Sequence, residues 1–110
     1  MRTSIHDKHV NEILNNPKEI LGLENIIWSA KEVQLWRRNK LIYVTDLVFI
    51  EYVNYNPQWI VVEYKCNDSV RQRDKARHQL RVAKNWWKEF MKETPDLLYV
   101  SGTYDIEVIE

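Results

Sequence analysis

Leu41-Ile42-Tyr43-Val44-Thr45-Asp46-Leu47-Val48-Phe49-Ile50 and Trp59-Ile60-Val61-Val62-Glu63-Tyr64-Lys65-Cys66 decide how this chain folds. Both runs are rich in β-branched and aromatic residues and have the length of buried strands. Between them, Asn54-Tyr55-Asn56-Pro57-Gln58 is a hairpin-sized loop. Side chains alternate along a strand, so Glu63 and Lys65 share a face with Trp59 and Val61. Ile60, Val62, Tyr64 and Cys66 take the other face, where Cys66 is expected as a small buried residue. If the two strands pair, Asp46 comes beside Glu63. Ionised groups thus fall inside runs that should be buried, where an unpaired charge is costly. They form either a structural ion-pair network or a chemical site. Buried networks stabilise too little to favour the first.

The flanking sequence supplies the rest of a layered α/β (α+β) fold. Residues 4–16 carry a helical stripe of Ile5, His9 or Val10, Ile13 and Leu14, with Ser4 or Thr3 as cap. Asn15-Asn16-Pro17 ends it, and Gly22 closes a short turn over 18–23. Residues 25–36 form a strand, and Arg37-Arg38-Asn39-Lys40 a turn. After Asn67-Asp68-Ser69, a helix runs over 70–92 with the stripe Ala76, Leu80, Ala83, Trp87 and Phe90. Two last strands, 97–100 and 104–109, are split by Ser101-Gly102-Thr103. The order αβββαββ predicts one domain over residues 1–110, a central mixed β-sheet flanked by helices.

Composition narrows the function classes. No run is long enough to span a membrane, and no basic-then-apolar leader is seen, so a cytoplasmic protein with no membrane partner is expected. The single cysteine excludes an internal disulfide and a thiolate zinc site, and the three histidines lack ligand spacing. The net charge is zero, yet residues 65–92 hold nine basic against three acidic residues, a net +6, which leaves −6 for the remainder. Such a segment suits a polyanion, although a solvated helix face explains charge runs as well. Arg71, Arg73, Lys75, Arg77, Arg81 and Lys84 are the candidate nucleic-acid contacts, and only a subset of them can face one way. Trp36 and Trp86 could stack on bases or fill a dimer interface.

Two carboxylates, Asp46 and Glu63, with the Tyr64 backbone carbonyl make a partial shell of hard oxygens suited to Mg²⁺ or Mn²⁺. Lys65 beside it could orient a water and offset charge on a scissile phosphate. With this pattern the chain resembles the PD-(D/E)XK nuclease superfamily, over residues from about 5 to 100. Asp46 matches the family Asp, and Glu63-Tyr64-Lys65 matches Glu-x-Lys on the next strand. Asn11-Glu12-Ile13-Leu14-Asn15-Asn16-Pro17 looks like the first helix of one branch, which makes Glu12 the leading acid; Glu32 is its competitor. His78-Gln79-Leu80-Arg81 looks like the family's Gln-bearing helix. The usual Pro before the Asp is Thr45 here, and Val82 stands where some relatives carry Tyr; neither change removes a ligand.

The resemblance implies a restriction-endonuclease-like core and a Mg²⁺-dependent endonuclease on DNA, with Asp46, Glu63, Lys65, Glu12 and Gln79 as catalytic residues. A chain this short carries no separate recognition domain, so a homodimer or larger complex supplies substrate choice, as in compact junction resolvases. Two other classes stand beside it. One is a non-catalytic nucleic-acid-binding domain of the same fold, and the other a small dimeric interaction module. The intact Asp46, Glu63 and Lys65 favour the enzyme over the first, and the +6 segment disfavours the second.

Overall fold

The β2–β3 pair sets the frame on which everything else is hung. A computed structural model describes residues 4–110; Thr3 lies outside them. β1 (Ile26–Arg37), β2 (Lys40–Val53) and β3 (Asn56–Lys65) form an antiparallel meander. β4 (Asp96–Ser101) lies parallel to β3, and β5 (Asp105–Ile109) antiparallel to β4, giving a five-stranded mixed sheet in the order β1-β2-β3-β4-β5. The parallel β3–β4 step needs a long crossover, and α3 (Val70–Trp86) supplies it. α1 (Ile5–Asn15) and α2 (Pro17–Leu21) precede the sheet, so the expected element order holds with one added short helix.

Alternation divides the core. Leu47, Phe49, Ile60, Val62, Tyr64 and Val100 meet Val10 and Ile13 of α1 on one face. Val48, Val61, Leu97 and Tyr99 meet Ala76, Leu80, Ala83 and Trp87 on the other. A sheet covered on both faces explains why residues 60–64 are buried without a break. No helix among the described residues is long and apolar enough to cross a membrane.

Local chemistry sets the element ends. Ser4 Oγ accepts the Asp7 N–H at 3.0 Å, and Ser69 Oγ accepts that of Gln72 at 3.2 Å. Both hairpin turns are two residues long with left-handed backbones, Arg38-Asn39 at φ 47 and 65 and Asn54-Tyr55 at φ 49 and 67. The second turn is shorter than the expected loop, because Pro57 enters β3 opposite Tyr52, where β4 has not yet begun and no ladder donor is missed. Gly22 ends α2 at φ 72 with open space around it. Gly22→Ala is therefore expected to cost about 1 kcal/mol through backbone strain alone, read as a lower urea midpoint with unchanged slope.

Three sequence expectations need correction. Ile5 is exposed, since the α1 stripe buries only from Val10 onward. The long helix passes into a π-helical turn (Trp87–Met91), which shifts the stripe out of phase and leaves Phe90 exposed. Cys66 lies beyond the last β3 residue and is exposed, so alternation no longer governs it.

The β1–β2 hairpin outruns the rest of the sheet. β2 pairs with β3 only as far as Leu47–Val62, but with β1 down to Lys40–Arg37. The projecting arm lies along α3: Leu35 is buried against that helix, and Trp36 O accepts Trp86 Nε1–H at 2.9 Å. Glu32, at φ 55, sits where the arm departs, between the Lys31–Leu47 and Val33–Thr45 pairs.

Candidate active site

Asp46 stands where β2 and β3 separate. Its Oδ2 accepts the Tyr64 backbone N–H at 2.8 Å, so a side chain takes over where the ladder stops. The same oxygen lies 3.3 Å from His6 Nε2 at the start of α1. Glu63, only 4% exposed, points to the α3 side with Val61, as alternation requires. Its Oε1 lies 3.3 Å from Lys65 Nζ, and its Oε2 accepts the Tyr43 hydroxyl from the hairpin arm. Asp46, Glu63, Tyr64 and Lys65 thus lie where the β2–β3 pairing stops, at the end of β3 but in the middle of β2.

The electrostatics show a strained pair of acids. Burial, and then the Asp46 carboxylate, push Glu63 up to about 7, against the Tyr43 hydrogen bond and the Lys65 ammonium, which pull it down. Burial also raises the Tyr43 phenol far above its ordinary value, reinforced by the Glu63 and Asp46 charges, so it acts as a donor. Tyr64 is locked through its hydroxyl, which donates to Gly102 O at 2.6 Å, while its ring lies against His6 and His9.

The remaining predicted residues fall in distinct places. Glu12 accepts the Tyr104 hydroxyl, which also meets His9 Nδ1 at 3.1 Å; it lies six residues along α1 from His6, roughly 9 Å by helical rise. Glu32, exposed, lies across from Asp46 in the β1–β2 register. Gln79 shares the α3 flank of Val82 and Trp86, the flank turned to the hairpin arm, and its buried Oε1 accepts no hydrogen bond among the described residues. Among the described residues, no cluster of three or more His, Cys, Asp or Glu side chains is set to hold a metal.

The basic helix splits as its geometry demands. Arg71, Lys75 and Gln79 form an i, i+4 row. Arg73, Arg77 and Lys84 take the opposite flank, where Arg73 grips Asp68 at 2.8 and 3.1 Å and Arg77 grips Glu107 at 2.6 Å. Arg81 faces outward. Arg73 and Arg77 are therefore engaged within the chain, beside a cavity of about 290 Å³ lined by Asp68, Arg73, Tyr99 and Glu107.

His6 and Tyr43 were not singled out from sequence. His6 reaches Asp46 only through the docking of α1, which leaves no local signal. Tyr43 had a weak one: it is one of two tyrosines in the strand that carries Asp46, three residues before it. No family model, curated protein or solved structure matches the chain.

Proposed function

We propose that this chain is a metal-dependent nuclease of restriction-endonuclease-like architecture that hydrolyses phosphodiester bonds as an endonuclease on DNA, acting in the cytoplasm as a homodimer or within a larger complex. One observation carries the reading. Asp46, Glu63 and Lys65 converge where two strands part, with Glu63 and Lys65 largely buried, at a cost that a structural network repays poorly.

The donor set fits the cation that such chemistry uses. Two carboxylates and the Tyr64 carbonyl are hard oxygens, and a divalent ion would relieve the Asp46 repulsion that adds to burial in lifting Glu63. Asp46, Glu63 and Tyr64 would hold Mg²⁺ or Mn²⁺. Bound there, the ion supplies Lewis-acid polarisation of the phosphodiester and makes water more acidic. Lys65 offsets the charge that builds on the phosphate oxygens. Tyr43 fixes the Glu63 carboxylate, and the Tyr64 N–H fixes that of Asp46. Gln79, on the α3 flank turned to the hairpin arm, offers a buried amide oxygen with no hydrogen-bond partner among the described residues. Glu12, held by Tyr104, acts at the rim.

A second reading, a non-catalytic nucleic-acid-binding module, is favoured by one observation: both Glu63 oxygens and one Asp46 oxygen already have partners within the chain. A cleavage panel of linear duplex, single strand, flap, splayed and four-way DNA, and RNA, with Mg²⁺ or Mn²⁺, separates the two. Binding without cutting would select the module.

Binding itself should weaken with salt, with a slope in log–log form of about −0.9 per phosphate neutralised. Arg71, Lys75 and Arg81 make none of the ion pairs found among the described residues, so Lys75→Gln is expected to reduce that slope by about one, measured by anisotropy. Arg77→Gln, which breaks the Glu107 pair, is expected to change it less.

A further inference from the structure

We infer that the end of the hairpin arm and the π-helical turn together form a stacking surface for single-stranded nucleic acid. This rests on the nucleic-acid reading above and adds the substrate class, a strand with unpaired bases. The two segments are joined by several contacts. Trp36 O accepts Trp86 Nε1–H, the Trp86 and Phe90 rings lie 5.3 Å apart, and Arg37 spans both by pairing with Glu89 and lying 5.9 Å over Phe90. Trp36, whose Nε1–H donates to Gln34 Oε1 at 3.1 Å on the strand face away from α3, remains 48% exposed, and Phe90, followed in the chain by Met91, is 46% exposed on the helix side, so the two rings flank the outer edge of the arm. Rings this large are not left in water by lack of a core, because Trp87, three residues before Phe90, is buried in one.

Charge identifies the occupant. The arm segment 36–41 and the turn segment 87–93 carry Arg37, Arg38, Lys40, Lys88 and Lys92 against Glu89 and Glu93, and Arg37 already neutralises Glu89. A second copy of this chain, docked face to face by a two-fold axis, would set these cations against their own images. A polyanion meets no such penalty. Within the polyanions, a duplex offers phosphates while its base faces stay stacked inside, so Trp36 and Phe90 would meet nothing apolar. An unpaired strand offers both phosphates and base faces.

The test is fluorescence anisotropy with labelled single strand, duplex and an abasic single strand of equal length, in EDTA, on wild type, Trp36→Ala and Phe90→Ala. The single strand is expected to bind best. Each variant should weaken it about tenfold while leaving duplex affinity unchanged, and the abasic strand should bind wild type as weakly as the intact strand binds the variants. Equal binding of abasic and intact strands, or unchanged affinity in both variants, overturns the inference. So does sedimentation showing a wild-type dimer that Trp36→Ala dissociates. Metal-dependent cleavage of duplex by wild type, retained in Trp36→Ala with no loss of single-strand binding, would keep the nuclease and remove the stacking surface. Binding that follows the expected pattern without any cleavage would do the reverse.

Discussion

Lys65→Ala is expected to lower phosphodiester cleavage by about 10²- to 10³-fold while nucleic-acid binding changes little, because in the proposed mechanism its ammonium acts where charge develops rather than where the strand is held. Lys65 Nζ is 3.3 Å from Glu63 Oε1, and its side chain is largely buried. Removing it also takes away one of the two groups that hold Glu63 ionised, so Glu63 keeps its proton to higher pH. The variant should therefore need more alkaline solution to load Mn²⁺, and it should load fully there. Single-turnover cleavage with a Mn²⁺ titration at pH 6 and pH 8.5 separates the two effects. Loss of binding in parallel with turnover would mean that Lys65 merely anchors the strand.

The second large effect is in stability. Metal-free protein should become less stable as pH rises from about 4.5 to about 7. Folded Glu63 holds its proton up to about 7, while in the unfolded chain it gives it up near 4.5, so the folded state binds more protons in that window and loses ground as pH rises. The contribution is fully present below the unfolded value and gone above the folded one. It amounts to about 3 kcal/mol at ~1.4 kcal/mol per pH unit. Glu63→Gln is expected to flatten the curve, and Mg²⁺ or Mn²⁺ to reverse its sign, since the ion binds the ionised form. Urea unfolding at several pH values in EDTA reads this directly. A Glu63→Gln curve that falls as steeply as wild type would assign the effect elsewhere.

Strand alternation made the placement of much of the candidate site legible. Glu63 and Lys65 do share the α3 face with Val61, and Asp46 does stand beside β3, because a two-residue period leaves few other placements. The sheet and crossover helix followed from run lengths and breakers. The hairpin arm did not. Its residues read as ordinary strand, and only their departure from β3 sends Tyr43 to Glu63 and Trp36 to Trp86. The fate of Phe90 was hidden for a related reason, since a π-helical turn breaks the 3.6-residue period that placed it in the core. His6 and the Tyr104–Glu12 contact depend on how α1 seats against the sheet, which no local pattern encodes.

Asp46 is the residue on which all of this converges, so its removal is the sharpest test. Initial cleavage rates of wild type and Asp46→Ala should be compared in Mn²⁺ and in EDTA, on the best substrate from the panel, with folding checked by thermal melting. Wild type is expected to cut in Mn²⁺ alone, and Asp46→Ala to be folded and inactive in both. Equal rates in the two proteins, or wild-type cleavage undiminished by EDTA, would contradict a metal-dependent site at the parting of β2 and β3.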